Sequence, residues 1–269
     1  MKYYVVADVH SFYSELIDAL TQNGFFEDKV PHKLIICGDL FDRGEEALKL
    51  QDFIIELMKK DEVILIRGNH EDLIVKFVND YIRWTVEPVI YTAHWGNGTV
   101  GTVMQLTGME LHEITVNSKV MKIRMENTPF FQKILPAMVN YYETEHYIFV
   151  HGWIACFASG YGGRASNFSY NPEWRESDYI DWDFARWYNG MEAARQGVIE
   201  PNKIIVCGHW NASYGHAKME GRGSEYGHDA DHTPYFGKGI IAMDACTALS
   251  KKVNCIVIED GTDALYGEV

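Results

Sequence analysis

The stretch "EVILIRGNHE", residues 62–71, passes directly from an apolar run into a cluster of hydrogen-bonding side chains. Residues 63–66 are β-branched or aliphatic, as in a strand that is buried on both faces. Five residues follow at once: Arg67, Gly68, Asn69, His70 and Glu71. Taken alone, they fit a turn into a helix, with Asn69 as the N-cap and Glu71 at the positive end of the helix dipole. The interpretation therefore depends on whether other strands end in the same way.

Four more segments have this pattern, in which an apolar run is followed by polar residues that could bind a ligand: "KYYVVADVH" (2–10), "HKLIICGDLFDRG" (32–44), "HYIFVHGW" (146–153) and "NKIIVCGHW" (202–210). Apolar residues at helical spacing predict helices over 14–24 and 45–60, between the first three strands. Strands that alternate with helices predict a layered α/β fold. The runs at 238–245 and 253–260 predict two further strands, which we interpret as core.

The composition is that of a folded protein and excludes several classes of function. A chain of 269 residues that is 47% hydrophobic can bury a sizeable core. The formal net charge of −14 argues against nucleic acid as a partner, because phosphate backbones are held mainly by Lys and Arg. No apolar stretch approaches the roughly 18 residues of a membrane span, and nothing resembles a signal peptide. We therefore expect a cytoplasmic protein without a membrane partner, whose five cysteines are free thiols.

The polar residues after the five strands are expected to meet, because ligands bind in α/β sheets where the loops at the carboxyl ends of strands converge. Ten such side chains are available: Asp8, His10, Asp39, Asp42, Arg43, Asn69, His70, Glu71, His151 and His209. Any one of them could be a helix cap or a core histidine, but five strands that end in this way indicate a shared site. Oxygen and imidazole ligands without cysteine suit Mn²⁺, Fe or Zn²⁺. The set fits two-metal chemistry on a phosphoryl group.

Two of these segments resemble the motifs of a known family. "GDLFDRG" (38–44) and "GNHE" (68–71) are similar to the signature blocks of phosphoprotein phosphatases among the calcineurin-like metallophosphoesterases. "ADVH" (7–10), "HGW" (151–153) and "GHW" (208–210) stand where the family has its other blocks. The order and the early position of the first blocks resemble the compact bacterial and phage serine/threonine phosphatases of the lambda type more than the eukaryotic catalytic subunits. The sequence departs from the family pattern at Ala7, Ser11 and Trp153, where the family has glycine.

The resemblance implies an α/β fold of the metallophosphoesterase type, which is a β-sandwich of two mixed sheets flanked by helices. We expect residues 1–269 to form a single domain. Residues 84–145 interrupt the alternation of strands and helices, so we expect them to form an inserted cap that is helical or irregular.

The resemblance also assigns roles to individual residues. Asp8 and His10 would bind one metal ion, Asp39 would bridge both ions, and Asn69, His151 and His209 would bind the second. His70 would be the general acid for the leaving group, Asp42 would hold its ring, and Arg43 would bind phosphate. The expected cofactor is a pair of divalent ions, Mn²⁺ first, with Fe or Zn²⁺ as alternatives. Arg186 is the candidate for a second phosphate-binding arginine and Arg164 the runner-up, although a surface salt bridge is an equally good interpretation of either.

Three functions are consistent with these assignments. The first is a metallophosphatase that hydrolyses phosphomonoesters, most simply a serine/threonine protein phosphatase, by attack of a metal-bridging hydroxide on phosphorus. The second is a symmetrical dinucleoside tetraphosphate hydrolase, so the partner would be a phosphorylated protein or a small phosphorylated metabolite. The third is a binding module that keeps the fold without catalysis. A binding module has no physical need for both His70 and Asp42, which argues for an enzyme.

Overall fold

Two mixed β-sheets pack face to face in the computed structural model, which describes residues 1–80, 92–160 and 164–261. The first sheet contains β1 (Lys2–Val6), β2 (His32–Cys37), β3 (Val63–Ile66) and β11 (Ile256–Glu259). Its order is β11-β1-β2-β3. β1, β2 and β3 are parallel, and β11 pairs antiparallel with β1.

The second sheet contains β4 (Tyr142–Glu143), β5 (Tyr147–Phe149), β8 (Ile204–Cys207), β9 (Tyr235–Gly237) and β10 (Ile240–Ala242). Its order is β4-β5-β8-β10-β9, with three central parallel strands and an antiparallel strand at each edge. A separate hairpin is formed by β6 (Phe157–Ser159) and β7 (Ser166–Ser169). The predicted sandwich of two mixed sheets is confirmed, and both tail segments contain a strand.

Each sheet is covered by apolar side chains on both faces, which explains why the strands have continuous apolar runs. Along β1, Tyr3 and Val5 lie between the sheets, whereas Tyr4 and Val6 join the cluster formed with the helices, as the two-residue period of a strand requires. The buried cluster between the sheets contains residues of both sheets, Ile35 of β2 among them. The sandwich core thus fixes the relative position of the two sets of strand ends.

Helices cover the outer faces of both sheets. The helices of the first half are α1 (Tyr13–Gln22), α2 (Ala47–Lys59), α3 (Asn69–Asp80), α4 (Ala93–Gly96), α5 (Thr99–Thr107), α6 (Leu111–Val116), α7 (Ser118–Glu126) and α8 (Leu135–Ala137), with a π-helical turn at Phe130–Ile134. The second half has α9 (Tyr179–Ala185), α10 (Gly190–Arg195), α11 (Ala212–Lys218) and α12 (Thr247–Ser250), with a 3₁₀ turn at Trp174–Glu176. Both helices predicted before residue 61 are present, displaced by one or two residues at their ends. Among the described residues, no helix is long and apolar enough to cross a membrane.

The segment predicted as a cap contributes to the main core where it is described. Residues 84–91 lie outside the described part, and the remainder of the predicted cap is mostly helical. Val100, Val103, Met121 and Phe130 belong to the same buried cluster as Leu16 of α1. The described helices of this segment therefore pack on the outer face of the first sheet, and the single domain over 1–269 stays a prediction.

Candidate metal centre

The strand ends of both sheets meet at one edge of the sandwich. His151, which follows β5, has its Nε2 3.3 Å from Oδ1 of Asp39, which follows β2. The backbone N–H of His209, after β8, donates to Oδ2 of Asp8, after β1, at 2.9 Å. Residues 112 and 201 positions apart in the chain, in opposite layers, thus share one site, as the convergence of strand ends predicts.

The backbone turns sharply after these strands. A left-handed conformation is adopted by six predicted site residues: Asp8 (φ 51°), His10 (51°), Asp39 (54°), Asp42 (74°), Arg43 (63°) and His209 (67°). Such angles are uncommon outside glycine and cost of order 1–3 kcal/mol in the less favourable cases. Their concentration at this edge makes it the candidate functional site, because the surrounding fold holds the side chains in place against local preference.

Gly68 has a steric reason to stand between β3 and Asn69. A Cβ at Gly68 would lie 2.1 Å from Oδ1 of Asp39, and one at Gly38 would lie 2.4 Å from Nδ1 of His151. Neither distance is possible for real atoms, so the two glycines allow the ligand-bearing loops to approach each other.

In three histidines, the ring is hydrogen-bonded to the backbone of another residue. His10 Nδ1 lies 2.9 Å from the Phe41 carbonyl, His151 Nδ1 lies 2.8 Å from the Cys37 carbonyl, and His209 is hydrogen-bonded to the backbone of Trp187. Because a carbonyl only accepts, Nδ1 of His10 and of His151 carries the proton and Nε2 is free to bind a metal. Burial lowers the pKa of all three and brings that of His209 to about 3, so they are neutral, as metal ligands must be.

Asp39 lies at the centre of the site. Its Oδ2 is 3.7 Å from His10 Nε2 and 3.8 Å from His70 Nε2. Ligand atoms of His10, Asp39 and His70 lie within 4.8 Å of one another, as do those of Asp39, His151 and His209. Burial raises the pKa of Asp39, but the surrounding histidines outweigh it, so the pKa is lowered and the side chain is ionised. Asp39 belongs to both groups of candidate ligands, so its carboxylate lies where a ligand that bridges two ions would have to lie.

The other two predicted ligands lie beside these groups. Asn69 Oδ1 is 2.8 Å from His151 Nε2, within the reach of a shared ion. Asp8 is buried at the same edge but belongs to neither of the two close groups, and both of its oxygens accept from the His209 N–H. Burial, followed by the charges of Asp244 and Asp39, raises the pKa of Asp8. Buried carboxylates that repel one another are stabilised by a bound cation, so the donor set fits divalent metal ions.

Two further buried carboxylates lie against the site in ways that the sequence analysis missed: Asp244, whose charge acts on Asp8, and Glu71, which binds the backbone of Asp39. Asp244 follows β10, is 4% exposed, and has its pKa raised to about 6 by burial, although the Cys246 N–H donates to it. It ends an apolar run as the other site residues do, and this signal was overlooked when the tail strands were interpreted as core. Glu71 accepts the backbone N–H groups of Gly68, Asp39 and Leu40 at 2.8, 3.1 and 2.9 Å, so it joins the loops after β2 and β3.

His70 and Asp42 form a hydrogen-bonded pair. His70 Nδ1 lies 2.7 Å from Asp42 Oδ2, which leaves Nε2 facing Asp39 and the metal groups. Burial lowers the pKa of His70, but the charges of Asp39 and Asp42 outweigh burial and raise it. Arg43 places Nη2 3.3 Å from His70 Nε2. The pair is therefore oriented so that the second nitrogen of His70 can exchange a proton with a group bound at the site.

Arg186 is buried rather than part of a surface salt bridge. Its Nε is 2.5 Å from Asp72 Oδ2, its Nη1 is 3.1 Å from Asn140 Oδ1, and its charge lowers the pKa of His151. The alternative, Arg164, is exposed. Trp153, one of the departures from the family motif, is 1% exposed and donates to the Val198 carbonyl at 3.0 Å, so it packs in the outer core of the second sheet.

Comparisons with known proteins agree with this geometry. The bis(5'-nucleosyl)-tetraphosphatase PrpE [asymmetrical] of Anoxybacillus flavithermus is 31% identical over 83 residues, which are 29% of this chain and 34% of that protein. The bis(5'-nucleosyl)-tetraphosphatase, symmetrical, of Buchnera aphidicola is 38% identical over 71 residues, which are 26% of this chain and 24% of that protein. The chain thus matches about a third or less of the length of these relatives.

A solved structure and a family description extend the comparison to most of the chain. The cold-active protein-tyrosine phosphatase of a psychrophilic Shewanella species superposes with a TM-score of 0.55 at 16% identity, over 96% of this chain and 75% of that one, so the fold is shared. The family described as calcineurin-like phosphoesterase matches residues 1–236. Side-chain groups at the strand ends that could hold metal ions, the mixed sandwich and this match agree: the chain belongs to the calcineurin-like phosphoesterase family, the family of metallophosphatases predicted from its motifs.

Proposed function

We propose that the protein hydrolyses phosphomonoesters, with serine and threonine phosphates on protein as the first substrate class. The observation that supports this most directly is the buried pair of His70 and Asp42, at 2.7 Å, beside the metal groups. An alkoxide is a poor leaving group unless it is protonated, so an alkyl phosphate gains most from a positioned acid.

His70 has the geometry of that acid. Asp42 holds Nδ1 and fixes the tautomer, so the proton that is donated comes from Nε2. Arg43 lies next to Nε2 and has a planar fork that suits phosphate oxygens. Arg186 would add a second positive charge, provided that Asp72 and Asp183 leave part of its guanidinium free.

The residues proposed to bind metal are the same six that the family resemblance assigns. Asp8 and His10 would hold one divalent ion, Asn69, His151 and His209 the other, and Asp39 both. When bound, two such ions, Mn²⁺ first and Fe or Zn²⁺ as alternatives, supply an activated water and neutralise phosphate charge. The Nδ1 contacts of His10 and His151 to backbone carbonyls orient the rings before any ion binds.

A second candidate is the hydrolysis of dinucleoside tetraphosphates. It is supported by the names of the relatives and by the indole rings of Trp187 and Trp210, centred 5.7 and 6.0 Å from the ring of His209. Both are only partly buried and could stack on a base. A nucleotide leaves as a phosphate, whose pKa near 6 makes an acid less necessary, so the pair of His70 and Asp42 favours the alkyl phosphate.

The test is a parallel assay of the Mn²⁺-loaded protein. We expect kcat/KM for a phosphoserine peptide to exceed that for diadenosine tetraphosphate. The Asp39→Asn variant, which removes the shared carboxylate, is the inactive control. A higher kcat/KM for the tetraphosphate would replace the first candidate by the second, and no hydrolysis of either substrate would overturn both.

A further inference from the structure

Helix α5, from the segment predicted as a cap, contacts the loop that carries Asp42 and Arg43. Gly98, the residue before α5, approaches so closely that a Cβ on it would lie 2.2 Å from the Arg43 backbone nitrogen. About two helical turns further, Gln105 accepts the Ala47 N–H at 2.8 Å and donates to the Gly44 carbonyl at 3.0 Å. α5 thus contacts the half of the loop that leads into α2.

Two threonines of α5 bind the Asp42 side chain. Thr99 donates its hydroxyl to Asp42 Oδ2 at 2.9 Å, and Thr102 donates to Oδ1 at 2.8 Å. The Thr102 hydroxyl also accepts the Asp42 backbone N–H at 2.9 Å. It therefore donates one hydrogen bond to Asp42 and accepts another from it. Asp42, Thr99 and Thr102 are each 0% exposed, so these bonds are shielded from bulk solvent.

These contacts leave the Asp42 carboxylate with one orientation. Oδ2 receives Thr99 and His70 Nδ1, and Oδ1 receives Thr102. Without the Thr102 hydroxyl, Asp42 Oδ1 would lose the hydrogen bond that it accepts, and the carboxylate could rotate to recover one. Asp42 also has φ of 74°, a conformation that its own backbone does not favour and that the Thr102 contact supports.

We propose that Thr99 and Thr102 are positioning residues, which act on the reaction through Asp42 by fixing the orientation and tautomer of the His70 ring. Neither threonine lies in the motifs of the strand ends, and neither belongs to the two close groups of candidate ligands. Removal of the Thr102 hydroxyl should therefore slow proton donation by His70 and leave metal binding intact. This inference rests on the proposed phosphoesterase activity, and its test includes a measurement that needs no activity.

The kinetic test compares Thr102→Val, which keeps the shape and removes the hydroxyl, with Thr102→Ser, which restores it. For the Mn²⁺-loaded enzyme we expect Val to lower kcat on a phosphoserine peptide about 10- to 100-fold, a range typical of the loss of a hydrogen bond that orients the partner of an active-site side chain. KM and metal content should stay close to wild type, the loss on p-nitrophenyl phosphate should be smaller, and Ser should recover most of the rate. Thr107→Val is the matched control, because its hydroxyl lies on the same helix but donates to the Val103 carbonyl.

A double-mutant cycle separates a positioning role from a structural one. In the His70→Asn background, Thr102→Val should have little further effect, because both changes remove the same function. An equal loss in both backgrounds, or an equal loss in Thr107→Val, would overturn the proposal.

The independent measurement is the Nδ1–H resonance of His70 in ¹⁵N-histidine-labelled protein, identified by its absence from His70→Asn. It should be present downfield in wild type and in Thr102→Ser, and lost or strongly shifted in Thr102→Val. If the wild type hydrolyses no phosphoester, the proposed function fails but this spectrum still decides the role of Thr102. An unchanged resonance in Thr102→Val would overturn the positioning role even in an active enzyme.

Discussion

Two neighbouring residues have different proposed roles, metal binding for Asn69 and proton transfer for His70. Asn69 Oδ1 reaches His151 Nε2 at 2.8 Å, whereas His70 Nδ1 reaches Asp42 at 2.7 Å. The His70 backbone N–H donates to Asp39 Oδ1 at 3.0 Å, which fixes the turn between them. His70 is also close enough to His10 and Asp39 to be a ligand, so its role as an acid must be separated from metal binding by experiment.

The His70→Asn variant makes that separation. If His70 is the acid, the variant should bind two ions and keep a near-native KM, and kcat on a phosphoserine substrate should fall by about 10²- to 10⁴-fold. The fall should be smaller on p-nitrophenyl phosphate, whose phenolate leaves unaided. Steady-state kinetics measures kcat and KM on each substrate, and elemental analysis measures the number of bound ions. His146→Asn is the control, since His146 pairs with Asp260 away from the site. Loss of one ion, or equal losses on both substrates, would contradict the acid role.

At the scale of elements, an ion-pair network attaches the short edge strand β4 to the rest of the second sheet. Arg175, in the 3₁₀ turn, donates to Glu143 of β4 at 2.9 and 2.6 Å and to Glu200 at 2.8 Å. Lys203 adds a contact to Glu143 at 3.0 Å. The hydrogen bonds from Arg175 are the main cause that lowers the pKa of Glu143 from its ordinary 4.5 to about 2.

The pH dependence of the free energy of unfolding follows from the lowered pKa of Glu143. A lowered pKa in the folded state stabilises the protein above pH 4.5 and stops doing so as the pH falls towards about 2. In metal-free protein, Glu143→Gln should therefore be less stable than wild type at pH 7, and the difference should shrink between pH 4.5 and 2. Urea unfolding of both proteins across this pH range measures the difference in their free energies of unfolding. The control is Glu56→Gln, whose exposed pair with Lys59 should contribute little. A constant difference across the range would show that the Glu143 charge is not responsible.

The elements also show which parts of the site a sequence can predict. An apolar run followed by polar residues is a local signal, so the five strand ends and the polar side chains that meet there could be predicted from the chain alone. Asp244 gives the same signal but was assigned to the core. The contacts of Asp42 to Thr99 and Thr102 span 57 and 60 residues, and no local pattern indicates which distant hydroxyl a carboxylate will meet. They depend on how α5 packs against the loop.

At the scale of the whole molecule, the site joins the two layers of the sandwich. Asp8, His10, Asp39 and Asn69 follow strands of the first sheet, and His151 and His209 follow strands of the second. These residues are adjacent only when both sheets are packed, so the unfolded chain has no comparable site. Binding energy for the metal is therefore also stabilisation of the folded protein.

Metal should accordingly raise the stability of the protein, and the increase should require ligands from both layers. At a free Mn²⁺ concentration of about 100 times Kd, the expected gain is about 2.7 kcal/mol, which corresponds to a rise in Tm of roughly 5–10 °C for a chain of this size. Thermal unfolding with Mn²⁺ and with EDTA measures the gain. Asn69→Ala in one layer and His151→Ala in the other should each reduce it, and Asp39→Asn should reduce it most, because Asp39 alone belongs to both close groups. His146→Asn, which changes a histidine outside the site, should lower both curves equally and leave the gain intact. If His151→Ala kept the full gain, the ions would be held by the first sheet alone, and the assignment of His151 as a ligand would be wrong.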